Sequence, residues 1–97
     1  MKGEILKVLY VDDEALLKMA FVETLKQQGF AARGALSGQE ALDLIQDDIP
    51  DIIILDVMMK PMDGWETLLH IKEFEPSTKV PIIMQTGKSL TIKDVLR

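Results

Sequence analysis

Cysteine is absent from the 97 residues, so disulfides, thiolate metal centres and a cysteine nucleophile are all excluded. A lone histidine, His70, leaves no partner for a histidine metal site and reads as a surface residue of a helix. No apolar run reaches membrane-spanning length, and the N-terminus has no long apolar stretch followed by a cleavage signal. The cytoplasm is therefore the expected location. Basic residues are outnumbered, 11 against 16 acidic, for a net charge of −5. That balance argues against direct nucleic-acid binding by this segment. Internal repeats, low-complexity tracts and interdomain linkers are missing too.

What remains has an ordinary globular make-up, 47% hydrophobic and 28% charged. Its length fits one domain, with a core that is adequate and not generous. The pattern alternates strand and helix. Ile5–Val11, Phe30–Leu36, Asp51–Asp56 and Val80–Thr86 read as strands, the second of them weakened by Gly34 and suited to an edge. Between them lie three helical stretches. Asp12 or Asp13 can cap the first, with Glu14 in its first turn, and Gly29 supplies its left-handed stop. Phe21, Leu17, Leu25 and Gln28 share its inner face. Ser37-Gly38-Gln39-Glu40 is a capping box for the second. Asp63 caps the third, where Leu68, Leu69 and Ile71 are the expected inner positions and Trp65 a packing anchor. Lys88–Arg97 has the apolar spacing of a further helix start. Alternation with short connections predicts an α/β fold with a parallel sheet and right-handed crossovers.

The chemistry-bearing feature is where the acids fall. Strand one runs into Asp12-Asp13-Glu14, and strand three ends on Asp56. Ligands of open α/β sheets gather beyond the carboxyl ends of the strands. If the two strands are neighbours, three carboxylates converge on one crevice, an arrangement a divalent cation would neutralise. Taken alone, each acid has a plainer explanation as a helix cap or turn residue. Met58, Met59 and Met62 read as flexible packing of the loop after Asp56.

Val11-Asp12-Asp13-Glu14, Asp56 with Met59 and Pro61, Met62-Asp63-Gly64, and Pro81-Ile82-Ile83-Met84-Gln85-Thr86-Gly87 together resemble the receiver domain of a two-component response regulator. The resemblance runs from about residue 5 to residue 90. It implies a flavodoxin-like, doubly wound parallel sheet, here with four strands in the order 2-1-3-4. It also implies roles. Asp56 would be the phosphoacceptor, and Thr86 would contact the phosphoryl group and act as a switch. Asp13 and Asp56 would bind Mg²⁺ directly, Asp12 through a water, and the Met58 carbonyl would complete the site. The donor would be a phosphohistidine on a sensor histidine kinase, and an output domain or protein would read the result. The domain would be a signalling module, not a metabolic enzyme.

Two departures from the family pattern stand out. Lys60 sits where the family usually has proline, with Pro61 one place later, so the loop backbone around Met58 is expected to differ. The family's fifth strand, its lysine and its fifth helix have no counterpart in residues 1–97, and Lys88 is not expected to replace that lysine. On this reading the chain is a receiver domain lacking its C-terminal strand and helix. The sheet face that the fifth helix would cover is then expected to be exposed or to pair with a second chain, as in a homodimer through the face or the sheet edge. Leaving its branched residues uncovered forfeits roughly 1.5–3 kcal/mol per side chain, against a total of about 5–15 kcal/mol for a domain.

Three rivals were weighed. A pseudo-receiver would keep the fold as a binding or dimerisation module without phosphorylation; the missing lysine favours it and the acids oppose it. A haloacid-dehalogenase-type phosphohydrolase needs an acid two residues after its nucleophile, where this chain has Met58. A flavin-binding domain would need a phosphate-cradling loop after strand one, which is absent.

Overall fold

Residues 4–85 are described by the structure, a computed structural model. Thr86, Lys88 and the helix start expected over residues 88–97 lie outside the described residues. Four parallel strands form one sheet in the order β2-β1-β3-β4. They are β1 (Lys7–Val11), β2 (Ala31–Ala35), β3 (Ile52–Asp56) and β4 (Ile82–Gln85). Helices α1 (Ala15–Gln27), α2 (Gly38–Asp47) and α3 (Gly64–Glu73) form the crossovers, with a 3-10 turn over Glu75–Ser77. The α/β class and strand order expected from the sequence are those observed.

The helix boundaries follow local chemistry. Ser37 Oγ accepts the Glu40 N–H at 3.0 Å, and Glu40 Oε1 in return accepts the Leu36 N–H at 2.7 Å. Asp63 Oδ1 accepts the Glu66 N–H at 2.9 Å and starts α3. Gly29 ends α1 with φ +98°, a left-handed position that a Cβ would disfavour. The start of α1 differs from expectation. Glu14 occupies the N-cap position without a side-chain capping bond, and its own N–H is accepted by Asp12 Oδ1 at 3.0 Å. Asp12 thus closes a tight turn before the helix and leaves no acid in the first turn.

Strand alternation divides the residues between two unequal faces. Leu9, Val11, Ile53 and Leu55 point to the α2–α3 side, where Ala41, Ile45, Met59, Ile71 and Val80 close a buried core. Val8, Tyr10, Ile52 and Ile54 point to the α1 side. There α1 covers β1 and β2, with Tyr10 stacked on Phe21 at 4.6 Å between ring centroids. Beyond α1, an apolar groove of about 290 Å³ runs over Ile52, Ile54, Leu25, Phe30 and Pro81. Ile83 of β4 is 49% exposed on the same side. Among the described residues, then, α1 reaches over β1 and β2 and leaves the isoleucines of β3 and β4 less covered.

Three inner-face assignments do not hold. Trp65 is 52% and Leu69 64% exposed, and Gln28 is exposed as well. Ile71 is buried and Leu68 packs against the core as expected, and Thr67, which the apolar pattern did not single out, is buried beside them. Thr67 is accommodated by donating its hydroxyl to the Asp63 carbonyl at 2.8 Å. Met59 is buried in the core while Met58 is exposed, so the loop methionines divide between packing and surface.

Ile53→Ala is expected to cost about 2–5 kcal/mol in chemical denaturation, because it opens a cavity between β3 and the α2–α3 layer. Leu69→Ala should change stability by less than about 0.5 kcal/mol, as for an exposed position. A second test concerns Lys7, whose Nζ lies 2.8 Å from Asp48 Oδ1 and ties the start of β1 to the end of α2. The hydrogen bond from Lys7 holds the Asp48 carboxyl below its ordinary range. A carboxylate lowered in the folded state adds stability above its unfolded pKa and loses it as pH falls through the folded value. Asp48→Asn should therefore lower the melting temperature slightly near neutral pH, and the difference from wild type should vanish in acid and shrink in high salt.

Candidate functional site

Two parallel strands end side by side and set the site. The register pairs Val11 of β1 with Leu55 of β3, so the next residue on each strand, Asp12 and Asp56, lie abreast at the carboxyl edge. Both are buried, at 2% and 1% exposure. Asp13, half-buried, completes a set of three carboxylates whose oxygens lie within 4.8 Å of one another. Asp13 also lines an open crevice of about 520 Å³ together with Glu14, Val57, Met58, Lys60 and Asp63. The crevice gives the cluster an entrance from solvent.

Each buried acid is held by donors from its own strand end. Asp12 Oδ1 accepts the Glu14 N–H, and Asp12 Oδ2 accepts the Tyr10 hydroxyl at 3.0 Å. Asp56 Oδ1 accepts the Met58 N–H at 3.1 Å. The backbone carries the geometry further. Asp12 N–H donates to the Ala35 carbonyl of β2 at 3.1 Å, and Val57 N–H to the Gln85 carbonyl of β4 at 2.9 Å. Tyr10 feels both effects of this setting: burial first, then the negative charge of Asp12, push its phenol far above the ordinary tyrosine range.

The loop after Asp56 is pinned by Gly64. Its N–H donates to the Val57 carbonyl at 2.9 Å, and a Cβ at this position would overlap the Asp56 carbonyl and Val57 Cα. Backbone on backbone cannot yield as a flexible side chain could, so the first residue of α3 must be glycine for the loop to close on β3. The loop contains a cis Lys60–Pro61 peptide, at the place where the sequence departs from the usual proline position.

Asp12, Asp13 and Asp56 thus stand together, with Met58 beside them; Thr86 lies outside the described residues. Sequence reasoning missed Tyr10 and Gln85. Period-two alternation held the signal for the first, since Tyr10, two residues before Asp12, must share its face. The donor set suits a hard divalent cation. Magnesium takes oxygen ligands at 2.0–2.1 Å, which places opposite oxygens about 4 Å apart. A carboxylate set within 4.8 Å matches that size with little adjustment.

Known proteins share this arrangement of chain. The family model for the response regulator receiver domain matches residues 8–97. A probable transcriptional regulator, ycf27, of Guillardia theta is 40% identical over 81 residues. That match takes in 84% of this chain but 31% of the relative, so the chain spans about a third of that protein's length. Among solved structures, the N-terminal domain of a response regulator receiver protein from Methanoculleus marisnigri JR1 superposes with a TM-score of 0.82 at 38% identity, covering 96% of this chain and 76% of that one. Chemotaxis protein CheY4 of Vibrio cholerae gives a TM-score of 0.86 at 26% identity, covering 96% and 94% respectively. With the match extending over nearly its whole length, this chain belongs to the response regulator receiver domain family.

Proposed function

We propose that this domain receives a phosphoryl group on Asp56 from the phosphohistidine of a sensor kinase, with Mg²⁺ held by Asp12, Asp13, Asp56 and the Met58 carbonyl. The observation that carries the reading is the convergence of three carboxylates at the adjoining ends of β1 and β3. Such acids repel one another and repel an anionic donor equally, so the cluster suits phosphoryl chemistry only with a cation present. Held by these residues, magnesium would supply charge neutralisation for the phosphoryl oxygens.

The chain's own residues supply the rest. The Met58 N–H on Oδ1 fixes the Asp56 carboxylate, so one of its oxygens can attack phosphorus in a set direction. As the new O–P bond forms, the N–P bond of the donor breaks and its electron pair returns to the imidazole. Asp12 is braced through both oxygens and is suited to act through a bound water. Thr86 follows directly on β4 in the sequence and is proposed to donate its hydroxyl to a phosphoryl oxygen, linking the site to the surface an output domain reads.

The role is that of a signalling module. Among the described residues no helix is long and apolar enough to cross a membrane, and the cytoplasm is the proposed setting. A second copy of the chain, meeting the apolar groove or the β4 edge, is the further partner we propose.

Incubation with MgCl₂ and an acyl phosphate should raise the intact mass by one phosphoryl group. The gain should vanish in Asp56→Asn and on addition of EDTA. No gain in the wild-type protein under any condition would favour a pseudo-receiver instead. Gly64→Ala keeps every acid yet must displace the loop that seats Asp56. It should slow phosphorylation at least several-fold and cost about 1–3 kcal/mol in denaturation, as overpacking against backbone does.

A further inference from the structure

Through one hydroxyl, Tyr10 joins the acidic cluster to the side chain that ends β4. Its ring is stacked on Phe21, which fixes where the hydroxyl can reach. From there the oxygen lies 3.0 Å from Asp12 Oδ2 and 3.4 Å from Gln85 Oε1. Asp12 leads the metal side of the site; Gln85 ends β4 and sits opposite Asp56 in the strand register. A phenol has one proton to donate, and here two acceptors are within range of it.

We infer that Tyr10 is a positioning residue whose single hydroxyl proton is divided between Asp12 and Gln85 according to whether a cation is bound. The inference rests on the reading of Asp12, Asp13 and Asp56 as a Mg²⁺ site. Without the ion, Asp12 is an anionic acceptor, and hydrogen bonds to ionised oxygens are shorter and roughly twice as strong as neutral ones. The shorter of the two distances goes to Asp12 accordingly. The bond therefore stabilises the ion-free arrangement of the carboxylate. Cation binding then draws negative charge away from Asp12 and weakens its claim on the proton. The neutral Gln85 oxygen becomes competitive, and the phenol turns toward the end of β4. The occupancy of the acidic rim is in this way transmitted across β3 to the residue just before Thr86 by a side chain of β1. No bond is made or broken beyond the hydrogen bond itself.

Tyr10 is the only tyrosine in the chain, so any tyrosine signal reports on this hydroxyl alone. The test is a MgCl₂ titration of wild type and Tyr10→Phe by calorimetry, with ultraviolet resonance Raman of the tyrosine ring in the wild type. Phenylalanine keeps the stack on Phe21 and removes only the hydroxyl, and circular dichroism checks that the fold is intact. We expect Mg²⁺ affinity to rise about fivefold in Tyr10→Phe, because the hydroxyl bond that cation binding has to weaken is gone. We also expect the wild-type tyrosine bands to move on adding Mg²⁺ toward those of a weaker donor, and to move less in Gln85→Leu. Equal affinity in the two proteins would overturn the inference while leaving the metal site standing. So would an affinity loss in Tyr10→Phe, which would make the bond to Asp12 one that the cation-bound site keeps. Failure of the wild type to bind Mg²⁺ at all would overturn the site reading, and this inference with it.

Discussion

Everything distinctive in this domain follows from the register of β1 against β3. Pairing Val11 with Leu55 obliges Asp12 and Asp56 to stand abreast, buried, at the same edge. Like charges directly opposite on neighbouring strands are destabilising. A one-residue slip would relieve the contact but would turn Leu9, Val11, Ile53 and Leu55 out of the core. The apolar pattern therefore enforces the electrostatic conflict. The chain moderates it with the donors already at hand: the amides of Glu14 and Met58 and the hydroxyl of Tyr10. These groups orient the carboxylates through hydrogen bonds. A site so arranged is poised for a cation.

Much of this was legible in the residues. Strand-like runs that end in acids, two side-chain caps that behave as written, and Gly29 as a helix stop all have local causes, and local causes survive folding. The misreadings have a common origin in tertiary phase. Trp65 and Leu69 are large and apolar, yet the rotation of α3 against the sheet puts Thr67 inward beside the expected Ile71. Composition cannot reveal that rotation. Asp12 was legible as an acid at a strand end but not as the acceptor that closes the turn before α1, because Asp12 and Asp13 are both good cap residues by type and only the folded turn shows that neither takes the cap. The link from Tyr10 to Gln85 joins residues 75 apart in sequence, and only the strand order brings them together.

The two faces of the sheet are unequal in a way that bears on signalling. Against α2 and α3 the packing is closed and apolar, with Leu9, Ile45, Ile53, Leu55 and Ile71 at 1% exposure or less. Dense interiors of this kind resist small displacements. On the α1 side the same strands present Tyr10, Asp12, Asp56 and Gln85 near the rim, and half-covered isoleucines below them. Any change of charge at the acids is felt first by the side chains that border them, Tyr10 and through it Gln85.

That asymmetry argues for the route by which such a change would leave the site. The closed layer fixes the backbones of β1 and β3, so Asp12 and Asp56 cannot part to relieve their repulsion. Relief has to come from side-chain rearrangement on the open face or from movement of β4, the strand at the end of the described sheet. β4 is held at its rim by the Val57 amide on the Gln85 carbonyl, and at its side chain by the Tyr10 hydroxyl. The first of these bonds belongs to the ladder and is indifferent to charge at the acids. The second shares its donor with Asp12 and is not. A domain built this way responds to a charge at its rim through the bond that can be given up, while the ladder keeps the fold in place.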